Sequence, residues 1–159
     1  MGNIVVGVAD MKLSAQRGDI IVTHALGSCL GVAIHDPVAG VGGIFHVMLP
    51  LASVAPEKAA NNPWMFVDTG TPLFFQQAYA AGAQKSRLVV KVAGGANVAQ
   101  GEDFFAIGQR NLTMLRKLFW KNGILVKGED VGGHIARTLY LEVGTGRTWL
   151  HSSGREWEL

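Results

Sequence analysis

The sequence predicts a mixed α/β domain that spans residues 1–159, with about seven or eight strands and two main helices. Apolar residues make up 48% of the chain and charged residues 16%, which favours a large core and excludes an intrinsically disordered chain. Apolar β-branched runs recur at short intervals, whereas two longer segments carry apolar residues at helical spacing. This combination is typical of β-sheets packed against helices.

The first fifty residues contain four predicted strands joined by short connections. The strands are the apolar segments 4–8, 19–23, 30–35 and 41–49, which are rich in Val and Ile. Between them we expect a polar connection over 12–18, a tight bend over 25–29 and a turn at Asp36-Pro37. Pro50 ends the last of these strands.

Helical spacing begins after residues 51–63, which are rich in Ala, Asn and Pro and which we expect to form an exposed loop. The first helix is predicted over 67–79, with Gly82 beyond its end and with irregular first turns because of Pro72. The second is predicted over 108–122, where an apolar stripe is followed by Gly123.

Further strands are predicted between and after these helices. They cover 87–92, 124–126, 138–143 and 147–151. The turn at 144–146 contains two glycines and joins the last two strands as a hairpin.

Charge and composition narrow the range of partners and locations. The net charge of +2, from 14 basic and 12 acidic residues, does not favour a nucleic-acid partner. No apolar run approaches the roughly 20 residues of a membrane span, and the N-terminal segment lacks the basic and apolar regions of a signal peptide. Cys29 is the one cysteine, so no intrachain disulfide can form. We therefore expect a cytoplasmic protein that does not insert into membranes.

Cys29 is the first candidate for chemistry. It follows Gly27 and Ser28 in the predicted bend and precedes a strand, and such a bend leaves backbone N–H groups available to hold an oxyanion. His46 lies inside an apolar strand, where its ring nitrogens need a partner. The more common alternative is a small buried cysteine and a core histidine bonded to a carbonyl, and that alternative stays open.

The sequence does not favour a metal or another cofactor. It has no His-x-His pair, no HExxH and no second cysteine. Glu129, Asp130 and His134 flank a glycine pair, which we interpret as a turn. Gly94-Gly95 lacks the residues of a phosphate-binding loop or a dinucleotide fingerprint. Three more histidines lie near strand ends and are expected at the surface: His24, His35 and His151.

A series of short motifs runs in order along nearly the whole chain. They are Ile21-Val-Thr23, Leu26-Gly-Ser-Cys29, Asp36-Pro37, His46-Val-Met-Leu-Pro50, Asp68-Thr69, Lys91-Val-Ala-Gly-Gly-Ala96, Ile107-Gly108, Arg110-Asn111, Glu129-Asp130, Gly132-Gly133 and Arg137. Their order and spacing together resemble those of the CheD family, the chemoreceptor glutamine deamidases of bacterial and archaeal chemotaxis.

This resemblance implies a fold and a set of catalytic roles. The fold is expected to resemble the catalytic domain of the cytotoxic necrotising factor toxins. Cys29 corresponds to the family's nucleophile, His46 to its base and Thr23 to the third member of the triad, while Ser28 and Gly27 are expected at the oxyanion or substrate site. The implied reaction converts receptor glutamine to glutamate through a thioester, and the same chemistry is expected to cleave glutamate methyl esters.

The resemblance also implies partners, and it leaves two other functions open. The expected substrate is the cytoplasmic helices of chemoreceptors, and the expected regulator is a phosphatase of the CheC type. One alternative is an adaptor that binds this phosphatase with little catalysis, and another is a domain whose cysteine is purely structural. The sequence departs from the family pattern at His24, at His134 and in the loop over 51–64, so the receptor preference and the partner contacts are not predicted.

Overall fold

The computed structural model describes residues 2–98 and 106–159, and within them ten strands form two five-stranded sheets. The strands are β1 (Asn3–Val5), β2 (Asp10–Ser14), β3 (Ile20–Leu26), β4 (Leu30–Asp36), β5 (Val41–Val47), β6 (Val89–Gly94), β7 (Val126–Val131), β8 (Arg137–Glu142), β9 (Thr148–Ser152) and β10 (Arg155–Glu158). The α-helices are α1 (Pro56–Asn61), α2 (Val67–Ala80) and α3 (Ile107–Lys121), and short 3₁₀ helices cover Ala52–Val54, Pro63–Met65 and Lys85–Arg87.

Both sheets are mixed, as predicted. Sheet A has the order β1-β3-β8-β9-β10, and sheet B has the order β2-β5-β4-β6-β7. The pairs β1–β3 and β6–β7 are parallel, and the other pairs are antiparallel. The chain changes sheet between β1 and β2 and again between β2 and β3, so the N-terminal strands occupy one edge of each sheet.

The two sheets and the helices form three layers with two apolar cores. One core lies between the sheets and includes Ile21, Leu26, Ile44 and Leu139. The other lies between sheet B and the two long helices and includes Phe45, Phe74 and Leu115. Sheet B is therefore covered on both faces, which explains why its central strands β4 and β5 are buried along their whole length.

Two glycines allow the layers to approach closely around β4 and β5. A Cβ atom at Gly31 would lie 2.8 Å from Leu26 Cδ1 and 2.9 Å from Leu139 Cδ2, so a side chain there would push the sheets apart. A Cβ atom at Gly70 in α2 would overlap the ring of Phe45 in β5. Because α2 presses on Phe45 through this glycine, it fixes the strand that carries His46.

The central elements agree with the predictions from sequence. Strands β3, β4, β5, β8 and β9 and helices α2 and α3 lie where they were expected. The bend predicted over 25–29 is shorter and covers 27–29, because β3 extends to Leu26. Helix α2 continues through Pro72 without the irregular first turns that we expected.

Several edge and surface elements differ from the predictions. The connection over 12–18 was wrong in part because β2 occupies Asp10–Ser14, and the loop over 51–63 was wrong in part because it contains α1. Strand β7 covers Val126–Val131 rather than 124–126, and strand β10 was not predicted.

The expected surface position of His35 was also wrong. His35 is 5% exposed, because β4 is covered on both faces, and its Nε2 lies 2.8 Å from the carbonyl oxygen of Val143. His24 is exposed, as predicted, and His151 is half-buried.

Candidate active site

Thr23 lies on the same face of β3 as Ile21, two residues earlier, and this face packs against the core between the sheets. Between Thr23 and Leu26, strand β3 contains one residue more than the facing part of β8, which forms a β-bulge. Within the bulge Ala25 adopts a left-handed conformation with φ of 56°. Such a bulge redirects the side chains that follow it. As a result Leu26, three residues after Thr23, is also completely buried on the inner face of sheet A.

His46 approaches Thr23 from the opposite sheet. It lies near the end of β5, it is 1% exposed, and its Nδ1 is 2.6 Å from Thr23 Oγ1. The two predicted site residues are thus joined by a hydrogen bond that links sheet A to sheet B.

The direction of this bond follows from the threonine's single proton. Thr23 Oγ1 donates to the carbonyl oxygen of Val6 at 2.9 Å, so the hydroxyl can only accept from the ring. His46 therefore carries its proton on Nδ1, and the lone pair lies on Nε2. Nε2 is buried and has no hydrogen-bond partner within residues 2–98 and 106–159. Because a buried ring nitrogen normally has a partner, an unpartnered Nε2 suits a group that takes up a proton during a reaction.

Cys29 lies on the same side of sheet B as His46. Gly31 is the Cα partner of His46 in the β4–β5 ladder, and Cys29 precedes Gly31 by two residues. Since side chains alternate along a strand, Cys29 is one diagonal step from His46, and the thiol packs against the core between the sheets. The structure contains no hydrogen bond between the thiol and Nε2. The three predicted triad residues therefore share one region, and one of their two expected hydrogen bonds is present.

The carbonyl oxygens of the loop that carries the cysteine, residues 27–29, are all held by donors from other elements. Ala96 N–H donates to the carbonyl of Gly27 at 2.8 Å, and Gly95 N–H donates to that of Cys29 at 2.9 Å. The amide Nδ2 of Asn111 donates to the carbonyl of Ser28 at 3.0 Å.

The N–H groups of the same loop point away from these anchors. In a trans peptide the C=O and N–H are antiparallel, so holding the carbonyls of Gly27 and Ser28 directs the N–H groups of Ser28 and Cys29 to the opposite side. In the described part of the chain neither N–H donates to a backbone carbonyl. The use of Ser28 and Gly27 at an oxyanion or substrate site stays a prediction.

Gly94 explains why the loop can sit so close to β6. Its φ is 106°, which side chains disfavour, and a Cβ atom there would overlap the carbonyl oxygen of Cys29. The glycine pair at the end of β6 thus packs against the loop that carries Cys29.

The glycine turn after β7 is hydrogen-bonded to Gly94 and so supports the position of the loop that carries Cys29. Gly132 N–H donates to the carbonyl of Gly94 at 2.9 Å, and Arg137 holds the turn through Asp130 at 2.7 Å and through the carbonyl of Gly132 at 3.0 Å. His134 Nδ1 lies 2.9 Å from the carbonyl oxygen of Asn97. The interpretation as a turn is confirmed for Gly132-Gly133, whereas Glu129, Asp130 and Val131 lie in β7.

Burial shifts the pKa values of both reactive groups toward their neutral forms. Burial raises the pKa of the Cys29 thiol, and its own backbone N–H offsets this in part. Burial lowers the pKa of His46 from 6.5 to about 4, against a smaller opposing effect of the Asp10 carboxylate. At neutral pH the resting site therefore holds a thiol and a neutral imidazole rather than a thiolate–imidazolium pair.

Two residues of the site were missed by the sequence analysis as site residues. Asp10 is the Cα partner of His46 across β2 and β5, so its carboxylate lies on the same face as the imidazole. Asn111 is completely buried on the inner face of α3 with Leu115 one turn later. The signal for Asn111 was an amide within an apolar stripe, because a buried amide needs specific partners. Asp10 gave no comparable signal, because a lone acidic residue is common in a surface connection.

A surface cavity lies elsewhere in the molecule. Its volume is about 760 Å³, and it lies between the end of α2 and the chain after α3, where Tyr79, Lys85 and Leu125 contribute to its wall. None of the three predicted triad residues lines it. The half-buried thiol is therefore not at the bottom of this cavity.

The described residues contain neither a metal-binding cluster nor a membrane-spanning helix. Over residues 2–98 and 106–159, no three His, Cys, Asp or Glu side chains gather in a way that would hold a metal ion. Within the same ranges no helix combines the length and the apolar character needed to cross a bilayer.

Comparisons with known proteins agree with the motif resemblance. A family model described as CheD chemotactic sensory transduction matches residues 48–152. The chain is 51% identical over 154 residues to a protein of Syntrophus aciditrophicus (strain SB) named probable chemoreceptor glutamine deamidase CheD 1, covering 97% of this chain and 96% of the relative. It is 45% identical over 159 residues to a probable chemoreceptor glutamine deamidase CheD of Solibacter usitatus (strain Ellin6076), covering 100% and 94%.

A more distant relative comes from an archaeon. The probable chemoreceptor glutamine deamidase CheD of Pyrococcus abyssi (strain GE5 / Orsay) is 39% identical over 146 residues, covering 91% of this chain and 88% of the relative. The family-model match begins after Thr23, Cys29 and His46, whereas the alignment with the Solibacter relative extends over the whole chain.

Proposed function

The chain belongs to the CheD family, and on that premise we propose that it hydrolyses the side-chain amide of chemoreceptor glutamines, with Cys29 as nucleophile and His46 as base. The observation that carries this proposal is the chain of hydrogen bonds from His46 through Thr23 to Val6. It leaves the lone pair of the imidazole on Nε2, which is the atom on which a base must accept a proton.

The first step is attack on the amide. As the sulfur of Cys29 bonds to the amide carbon of the glutamine, the thiol proton moves to His46 Nε2 and the carbonyl electron pair moves to oxygen. Because both groups are neutral at rest, the proton transfer accompanies the attack rather than preceding it. Thr23 accepts from Nδ1–H throughout and keeps the ring in one orientation, as the third group of a triad does.

The next steps release ammonia and then glutamate. The oxyanion is held by the N–H groups of Ser28 and Cys29, whose directions are fixed by the anchored carbonyls. The imidazolium gives its proton to the leaving nitrogen, the C–N bond breaks, and a thioester remains on Cys29. A water molecule that loses its proton to Nε2 then hydrolyses the thioester, which yields glutamate and regenerates the thiol.

Three finer expectations belong to the same proposal. A glutamate methyl ester presents an acyl carbon to the same thiol and loses methanol instead of ammonia, so the site is expected to act as an esterase too. A phosphatase of the CheC type is proposed as a regulatory partner, and the layered sheets are proposed to resemble the catalytic domain of cytotoxic necrotising factor toxins. The motifs quoted in the sequence analysis support all three.

The test uses the wild-type protein and Cys29→Ala with the helical cytoplasmic fragment of a chemoreceptor from the same organism. Mass spectrometry follows conversion of glutamine to glutamate in each peptide, and ammonia release gives the rate. We expect conversion by the wild type and none by Cys29→Ala, with the same circular dichroism for both. Conversion by Cys29→Ala would exclude Cys29 as nucleophile. Failure of both proteins on a folded receptor would favour the adaptor function, which binding of Cys29→Ala to the phosphatase would then test.

A further inference from the structure

The amide of Asn111 connects the two segments that carry the reactive groups. Its Nδ2 lies 3.0 Å from the carbonyl oxygen of Ser28 and 2.8 Å from that of Met48. Ser28 precedes Cys29 in the chain, and Met48 follows His46 by two residues. The side chain is completely buried in α3, in contact with the ends of β4 and β5.

The orientation of the amide is determined by these two neighbours. Both are carbonyl oxygens, which can only accept, so the atom that faces them must be the nitrogen with its two protons. Each proton has one acceptor. The amide therefore acts as a two-pronged donor, and a side chain without an N–H group could not replace it.

The contact with Ser28 determines the direction of one specific N–H group. The carbonyl of Ser28 and the N–H of Cys29 belong to one planar peptide and point in opposite directions. The same relation links the carbonyl of Gly27, held by Ala96 N–H, to the N–H of Ser28.

We propose that Asn111 is a positioning residue that directs the Cys29 N–H toward the oxyanion formed in the reaction. Through its second hydrogen bond, to the carbonyl of Met48, it also fixes the position of that N–H relative to the strand that carries His46. This role rests on the proposed function, because an oxyanion arises only if Cys29 attacks a carbonyl. Asn111 does not touch the substrate, and its effect is exerted through the Ser28–Cys29 peptide.

The test separates two reactions of the same thiol. Deamidation passes through an oxyanion, whereas alkylation by iodoacetamide displaces iodide and forms no oxyanion, so only the first needs the directed N–H. The variants are Asn111→Leu, which keeps the volume, and Asn111→Ala, which leaves space for a water molecule. Asn122→Ala, on an exposed asparagine beside the end of the same helix, is the matched control.

We expect kcat for deamidation to fall about 10- to 100-fold in Asn111→Leu, with KM nearly unchanged, because one oxyanion donor is misdirected. The alkylation rate at one alkaline pH should stay within about twofold of the wild type, since the pKa and exposure of the thiol are not set by this amide. Asn122→Ala should match the wild type in both reactions.

The other outcomes overturn the proposal. Equal loss of deamidation and alkylation would mean that Asn111 places the whole cysteine loop, and unchanged deamidation would mean that the N–H direction does not depend on it. If both Asn111 variants lost their circular dichroism signal, the amide would be a folding residue and the specific role would be rejected. A wild-type protein without deamidase activity would instead refute the proposed function, which the Asn111 variants do not test.

Discussion

Acidification should destabilise the fold through His46, and the effect can be separated from that of the carboxylates. In the folded protein burial lowers the pKa of His46 from 6.5 to about 4. In the unfolded chain the ring is solvated and titrates near its ordinary value. Between these two pH values the unfolded chain therefore binds one more proton than the folded protein.

The sign and size of the effect follow from this difference. Stability rises with pH wherever the unfolded state binds more protons, so lowering the pH from 6.5 to 4 destabilises the folded state. The pKa of His46 differs by about 2.5 between the two states, and each pKa unit corresponds to about 1.4 kcal/mol. Protonation of His46 should therefore lower the free energy of unfolding by roughly 3 kcal/mol, and the decrease is complete below pH 4. Asp36, whose pKa is held well below its usual range by Arg87 and by backbone N–H groups, contributes only at lower pH.

The measurement is urea unfolding at pH values from 7 to 4, followed by the fluorescence of the four tryptophans. The free energy of unfolding of the wild type should fall most steeply in this interval. His46→Gln removes the titrating group, so its stability should change much less with pH even if it is lower throughout. His24→Gln changes an exposed histidine one residue after Thr23 and should keep the slope of the wild type. Parallel curves for the wild type and His46→Gln would refute the assignment of this pH dependence to His46.

Two substitutions test other parts of the structure. Thr23→Val removes the oxygen that accepts from Nδ1–H of His46, so we expect the deamidation rate to fall on the order of 10²-fold, with Thr23→Ser retaining most of the rate. Thr113→Val, at an exposed position on α3, is the matched control, and a wild-type rate in Thr23→Val would contradict the tautomer argument. Asp36→Asn leaves the guanidinium of Arg87 without its buried carboxylate, so we expect a loss of about 3–5 kcal/mol in the free energy of urea unfolding. Val38→Ala, in the adjacent exposed turn, should change it by less than about 0.5 kcal/mol, and a similarly small effect of Asp36→Asn would show that the ion pair adds little.

The central strands could be predicted from sequence because their environment is uniform. Strands β4 and β5 are covered on both faces, so they appear as unbroken apolar runs. Helices α2 and α3 each bury one face on sheet B, which produces the helical spacing of their apolar residues.

The strands at the sheet edges could not be recognised in this way. In β2, Met11 and Leu13 pack under the helices, while the alternate residues Asp10 and Lys12 form an ion pair at the edge. In β7 and β10 many positions are polar and partly exposed. Because an edge strand has one unpaired side in contact with water, polar residues are favoured there and the local pattern is that of a connection.

Some features of the site could be predicted from local sequence, and others depend on contacts between residues that are distant in the chain. The bend before Cys29 and the burial of His46 followed from local sequence. The pairing of His46 with Thr23 did not, because the two residues lie in different sheets and meet only when the sheets pack. The role of Thr23 came from the resemblance to the CheD family, and the donors that hold residues 27–29 became visible only in the structure.

The unpartnered Nε2 of His46 and the raised pKa of the Cys29 thiol both result from the burial of these side chains between the two sheets. A thiolate–imidazolium pair would place two charges between the sheets, where burial disfavours both. The resting site stays neutral, which keeps the cysteine weakly reactive toward oxidants and alkylating agents. Slow alkylation at neutral pH would therefore not distinguish a catalytic Cys29 from a structural one. In the proposed mechanism the oxyanion and the imidazolium form together once a substrate carbonyl is in place, and the N–H groups of residues 28 and 29 would then stabilise the new negative charge. The proposed mechanism therefore predicts that discrimination between an amide substrate and other reagents of the thiol depends on the anchored loop, which is the feature that Asn111 variants perturb.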